Sequence, residues 1–257
     1  MTRYKLTLEY DGSRYNGWLA QKNERSIQGE LMGAVKQIFG DAPFHLFGAA
    51  NTEIGEHALA QVAHLDASSP LSDSLLHLRF NDCLPPDINV LALETTPPHF
   101  HALFDAKARS YVYQISKRRN AFGKKYTWWV KETLDPELMQ QTANVLLGTH
   151  DLKAFSAEIS PKMPTQIQIY HCQVHDVGDM LFVHIVGSHF LRKMVRLLVG
   201  MLVAVGTEQL SPLKAAQYIQ NPKGEIFPHS APPVGLFLER VYYKTPTNID
   251  QQFKTLF

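Results

Sequence analysis

The chain has 257 residues, of which 45% are hydrophobic and 19% charged. That length suits one large domain or two of about 130 residues, with a core that needs no staples, and the composition excludes a disordered chain. The net charge of +1 excludes a polybasic domain that coats itself in nucleic acid, though not a local basic groove. The balance is uneven: residues 1–104 carry 7 basic and 12 acidic side chains, a net of −5, and residues 105–257 carry 18 and 12, a net of +6.

In chain order, Tyr4, Leu6, Leu8 and Tyr10 alternate with Lys5, Thr7 and Glu9. This predicts a half-buried strand over residues 3–10 rather than a signal peptide. After a turn at Asp11 and Gly12, Ser26 caps a helix expected over 27–39 and closed by Gly40. Ile27, Leu31, Ala34, Val35 and Ile38 share one of its faces. A strand is expected near 44–49, a polar loop over 51–57, a strand near 61–66, a short helix over 71–80 and a strand over 88–94.

The second part opens with a strand over 107–117, in which Tyr111, Tyr113 and Ile115 alternate with polar positions, and an extended stretch over 126–131. Asp135 caps a helix expected over 136–147, with Pro136 at its first position and Gly148 as its stop. Strands over 166–177 and 181–186 meet at Gly178 and Asp179. The most hydrophobic helix is expected over 190–205, a shorter one begins at Ser211 and Pro212, and a last strand covers 235–243. The apolar run at 197–206 is half of the ~20 residues that a membrane span needs. Strands and helices mix without strict alternation, an α+β pattern. R-Y-K-L-T-L-E-Y-D at Arg3 and R-S-Y-V-Y-Q-I-S-K at Arg109 are alike. We therefore expect two similar domains, 1–104 and 105–257, with a cleft between them where ligands bind.

Cys83 and Cys172 form no C-x-x-C pair, so neither a disulfide framework nor a cysteine zinc site is expected, and a cytoplasmic setting fits. His99 and His101 have a strand-like spacing but no third ligand, and H-E-x-x-H is absent; no metal site is expected. Cations concentrate elsewhere. Residues 107–131 hold eight Lys or Arg and no carboxylate, interleaved with Tyr111, Tyr113, Phe122, Tyr126, Trp128 and Trp129. Cations that hold phosphate beside rings that stack on bases make a nucleic-acid surface; solvated Lys on a half-buried strand pair is the plainer reading. Arg192, Lys193 and Arg196 cluster in the helix expected at 190–205, which puts Arg192 and Arg196 on one face. A buried Arg196 would need a carboxylate partner.

Several motifs stand in a fixed order. They are Y-D-G-S-R-Y-N-G-W at Tyr10, S-I-Q at Ser26, A-A-N-T-E-I-G-E-H-A at Ala49, L-P-P-D-I-N-V at Leu84 and F-H-A-L-F-D-A-K-A-R-S-Y-V-Y at Phe100. Gly148, His150, Asp151 and Phe155 come next, then F-L-R-K-M-V-R at Phe190 with Gly200 and Gly206. Through nearly the whole chain they resemble the TruA family of tRNA pseudouridine synthases. The resemblance implies a pseudouridine synthase fold: two similar α+β domains with mixed, largely antiparallel sheets flanking a basic cleft, as a homodimer. It implies isomerisation of uridines in the tRNA anticodon stem-loop, with no metal or organic cofactor; the short apolar run points to no membrane. The target base leaves the stack, an Asp attacks the nucleotide, a Tyr packs against the base and an Arg from the C-terminal helix pairs with the Asp. By position the Tyr is Tyr111 and the Arg is Arg196. Residues expected to meet RNA are Asn51, Thr52, His57, Lys107, Arg109, Arg118, Arg119, Arg192 and Lys193.

The departure lies in the loop that reads A-G-R-T-D-x-G-V-H-A in the family. Thr52, Gly55, His57, Gln61 and His64 hold the register, so the Asp position is Glu53, the Arg is Asn51 and the Val is Glu56. The extra methylene of Glu moves its oxygens by about 1.5 Å, and a misplacement of about 1 Å costs roughly 10²-fold in rate. Asn51 removes a cation, and Glu56 is expected to add negative charge where phosphates pass. Three readings stay open: a synthase that uses Glu53, an RNA-binding or folding protein without chemistry, and a paralogue that has left RNA.

Overall fold

The computed structural model describes residues 1–158, 164–220, 226–247 and 249. In chain order its elements are β1 (Thr2–Tyr10), α1 (Ile27–Phe39), β2 (His45–Gly48), β3 (His57–Ala67), α2 (Asp73–Cys83), β4 (Ile88–Thr96), β5 (Ala108–Ser116), β6 (Trp128–Trp129), α3 (Pro136–Val145), β7 (Gly148–Asp151), β8 (Gln166–Val177), β9 (Met180–Gly187), α4 (Met194–Gly206), α5 (Pro212–Gln220) and β10 (Leu236–Tyr242). They form two compact units. One is Met1–Ala106 with Phe237–Tyr243, and the other takes Lys107–Leu236. Among the described residues the last strand thus returns to the first unit instead of ending the second. Both units are α+β with mixed, mostly antiparallel strand pairing, the class expected. Among the described residues no helix is long and apolar enough to cross a membrane.

In the first unit the strands run β4-β1-β3-β10. β1 buries Tyr4, Leu6, Leu8 and Tyr10 on one face, as the alternation predicts. Leu6 and Leu8, fully buried, each contribute about 1.5–3 kcal/mol. β3 begins four residues earlier than its local pattern suggests. The added residues are fixed by distant partners: His57 and Ala58 pair in parallel with Phe237 and Leu238, and Ala58 also pairs with Tyr10. The Ser26 side chain accepts from the Gly29 N–H to open α1, and Gly40, at φ 66°, closes it. α2 is displaced from 71–80 because Ser72 is its cap, accepting from the Leu75 N–H. It ends at Leu84, which Pro85 holds in extended backbone (φ −82°, ψ 150°).

In the second unit the strands run β5-β9-β8-β7, with β6 pairing β5. All nine residues of β5 are buried, so the expectation of a half-buried strand is corrected: both of its faces are covered, and Arg109, Ser110, Gln114 and Ser116 are buried with the aromatics. β8 and β9 form the predicted hairpin through Gly178. The Asp135 side chain caps α3, with Pro136 at its start. α3 packs on α4, α5 and β8.

α4 is the largest correction. It starts at Met194, not at residue 190, because Lys193 adopts left-handed backbone (φ 60°) and the Met194 N–H closes a tight turn on the Leu191 carbonyl (3.1 Å). Arg192 therefore precedes the helix and shares no helical face with Arg196. Every residue of α4 except Arg196 is buried, as expected of a helix that is apolar all round.

Candidate active site

The loop that carries Glu53 links β2 to β3, and its geometry is set by the motif at Tyr10–Trp18. The Trp18 N–H donates to the Thr52 carbonyl (2.9 Å), and the Gly55 N–H donates to the Tyr15 carbonyl (3.4 Å). Thr52, itself buried, shares a hydrogen bond with the Tyr10 hydroxyl (2.8 Å). Gly12 lies so close that a Cβ there would sit 1.8 Å from the Glu56 carbonyl oxygen; only glycine lets this backbone approach. The Tyr15 hydroxyl donates to Asp87 of the L-P-P-D motif, and burial, then Asp87, push the Tyr15 pKa well above its ordinary value. Within β3, Gln61 clamps Ala50 from both sides, accepting its N–H (3.2 Å) and donating to its carbonyl (2.7 Å).

Within the loop Glu56 is not a surface acid. Its side chain is 5% exposed and turns inward, where it accepts the Glu53 backbone N–H at 2.7 Å. The Glu56 N–H donates back to the Glu53 carbonyl at 3.1 Å. This reciprocal pair resembles a capping box and holds the backbone of Glu53. Gly55, at φ 77°, supplies the left-handed backbone of the turn. Glu53 is half-buried and Asn51 exposed. His57, expected to meet RNA, is buried. Its Nδ1 accepts the Gly12 N–H (3.1 Å), and its ring stacks on Phe237 with centroids 4.6 Å apart. It supports the loop from below.

The second unit holds Tyr111 and Arg196. Tyr111 sits mid-β5 opposite Ile185, buried, with its ring edge-to-face against Phe190 (5.1 Å). Arg109, two residues earlier, is also buried. Arg196 lies in the first turn of α4, where its Nε donates to the Ala231 carbonyl (2.7 Å) and its own carbonyl accepts the Ala231 N–H (2.9 Å). One turn on, a Cβ on Gly200 would meet the His229 carbonyl oxygen at 2.2 Å, so glycine lets the 229–232 segment lie along the helix. The Tyr113 hydroxyl donates to the Pro232 carbonyl (2.6 Å). The same short strap therefore fixes both Tyr111's strand and Arg196's helix. It is not among the expected elements; its signal in the sequence is the pair Pro232 and Pro233 just before β10.

The cations of residues 107–131 and of the segment before α4 differ in their surroundings. Lys117 pairs with Asp176 (2.6 Å) and Arg118 with Asp179, both acids at the tip of the β8–β9 hairpin. Arg192 is exposed and pairs with Glu158; Lys193 is also exposed, and Lys107 lies just before β5. The Arg119 guanidinium lies 6.0 Å from the centre of the Trp129 ring. With Asn120, Ala121, Lys124 and Thr127 these two line a surface depression beside the fully exposed Phe122.

A protein-family model described as tRNA pseudouridine synthase matches residues 142–244. The chain is 37% identical to "tRNA pseudouridine synthase A" of Rippkaea orientalis, over 94% of this chain and 83% of that one. It is 35% identical to the protein of that name from Dictyoglomus turgidum, over 95% and 100% of the two chains. It is 35% identical to that from Methylococcus capsulatus, over 94% and 89%. The chain belongs to the tRNA pseudouridine synthase A family. Within the first unit, Trp18, Tyr15, Glu56 and Gln61 hold the backbone of residues 50–55, and Asp87 holds Tyr15 in turn.

Proposed function

We propose that this protein converts uridine to pseudouridine in tRNA, with Glu53 as the attacking carboxylate, Tyr111 packed against the base and Arg196 as the cation that orients the acid. The reaction is an isomerisation: the N1–C1′ glycosidic bond breaks and a C5–C1′ bond forms, C5 gives up its proton to solvent and N1 takes one up, so the atoms balance. No co-substrate is consumed. A carboxylate nucleophile splits this exchange into two easier steps through a covalent intermediate, and the uridine must first leave the stack to be reached. The observation that carries this reading is the Glu53 loop, whose backbone is gripped by Glu56, Trp18 and Tyr15. A site fixed this way places its acid reproducibly, which catalysis by positioning requires. The finer reading is a homodimer in the cytoplasm that acts on uridines of the anticodon stem-loop. Arg119, Lys124 and Lys125 hold phosphates while Phe122 and Trp129 stack.

The test is pseudouridine formation by purified protein on tRNA transcripts, mapped by mass spectrometry, with size-exclusion chromatography reading the oligomer. Wild-type protein is expected to form product slowly. Glu53→Asp combined with Asn51→Arg is expected to raise the rate by roughly 10²-fold, as recovery of about 1 Å of placement should. A wild-type protein that yields no product at high concentration, while the double variant does, sinks the assignment of Glu53 as nucleophile. The exposed Asn51, which cannot support a flipped nucleotide as Arg would, favours a second reading: tRNA binding without chemistry. Tight binding with no product from either protein would establish it.

A further inference from the structure

The β8–β9 hairpin brings three histidines together. Gln173 on β8 lies opposite His184 on β9. Paired residues share a face, as do strand residues two apart, so His171, Gln173 and His175 point to the same side as His184. The two β8 histidines are the diagonal neighbours of His184, a separation of about 7–8 Å that long side chains span. Their rings converge: one nitrogen from each lies within 4.8 Å of the other two. The rings of His171 and His184 meet edge to face with centroids 4.9 Å apart. His171 Nε2, His175 Nε2 and His184 Nδ1 are all shielded from solvent.

The other side of His184 is also set. Its Nε2 lies 2.8 Å from the Ser110 hydroxyl, and both residues are buried. An Nε2–H donated to Ser110 leaves the Nδ1 lone pair directed at the two β8 rings. This is the outer-partner arrangement that fixes the tautomer of a metal-bound histidine. Asp176 and Cys172 fall on the opposite face of β8 by parity, so the cluster offers three imidazoles and neither a carboxylate nor a thiolate.

We propose that His171, His175 and His184 form a zinc site in the second unit, with water as the fourth ligand. Neutral imidazoles suit a borderline divalent cation, and three histidines with an open fourth position are an established zinc arrangement. Zinc–nitrogen bonds of about 2.0–2.1 Å in a tetrahedral site place the nitrogens about 3.3 Å apart, so the rings need to close by about 1.5 Å at most. The metal would clamp β8 to β9, next to β5: Val112 pairs with His184, and Tyr111 with Ile185. No local spacing marks this trio, because His184 comes from a different strand than His171 and His175.

The test uses the untagged full-length protein, stripped by chelator and titrated with zinc by calorimetry and with cobalt by visible absorption, neither of which depends on pseudouridine formation. The expected result is one metal per chain with micromolar or tighter affinity, and the cobalt bands of a tetrahedral site. Ser110→Ala is expected to weaken binding about 10- to 100-fold. The H171Q/H175Q pair, with its fold checked by circular dichroism, is expected to lose more than that. Absence of binding by the wild-type chain at roughly 100 µM zinc overturns the proposal. So does unchanged affinity in a folded double variant.

Discussion

Glu56→Ala tests how the candidate nucleophile is held. The substitution removes the acceptor of the Glu53 N–H, a 2.7 Å bond made by a side chain that is 5% exposed. A hydrogen bond to a charged group contributes about 1.5–3 kcal/mol, and a buried donor left without an acceptor costs a similar amount. In a chain of this size each kcal/mol moves the melting temperature by about 2–4 °C. The expected fall is therefore about 3–12 °C by scanning calorimetry. Glu56→Gln keeps an acceptor oxygen and is expected to lose half of that or less. Glu24→Ala, at an exposed loop position, serves as control and stays within about 0.5 kcal/mol of wild type. An alanine variant that melts within about 1 °C of wild type would refute the reasoning. A glutamine variant that melts as low as alanine would show that the buried charge matters rather than the acceptor.

Gly12→Ala drives a Cβ into the Glu56 carbonyl oxygen; a loss of at least about 1–3 kcal/mol, as overpacking gives, is expected in denaturant titration, with pseudouridine formation lowered too. His64 offers a pH test: burial first, then His101 and Arg3, lower its pKa to about 4 from 6.5. The folded protein therefore stays unprotonated where the unfolded chain takes up a proton, so stability falls as pH drops from about 6.5 to about 4. Melting temperatures across that range should slope upward with pH in wild type and less so in His64→Gln; equal slopes would dismiss His64 as the cause. Charge reversal at Arg119, Lys124 and Lys125 should weaken tRNA binding and flatten its salt dependence by about 0.7–0.9 per lost phosphate contact. Reversal at Lys117 and Arg118, already paired with Asp176 and Asp179, should do less, as read by filter binding across salt concentrations.

Features set by neighbouring residues were legible in the sequence. Ser26, Gly40, Asp135 and Gly178 end or begin elements where their chemistry says they should, because a cap or turn is decided within a few residues. The α+β class followed from the same local signals. Features set by distant partners were not. The first residues of β3 are strand because residues 237 and 238 pair with them. The apolar pattern from Phe190 to Val205 runs through Lys193 without a break, although its left-handed backbone delays the helix. The candidate site divides in the same way. The positions of Glu53, Tyr111 and Arg196 came from motifs, whereas the inward turn of Glu56 and the 229–232 strap depend on contacts no local pattern encodes.

The return of Phe237–Tyr243 to the first unit sets a clock on biosynthesis. When residue 106 leaves the ribosome, this unit still lacks a strand that will be made only after about 130 more residues, on the order of ten seconds later at about 5–20 residues per second. Until then the edge of β3 at His57 and Ala58 has no Phe237 or Leu238 to pair with, and His57 has no ring to stack on. An open strand edge is a template for pairing with other chains. The nascent protein is therefore most exposed to mispairing, and most in need of a chaperone, while its second unit is being made.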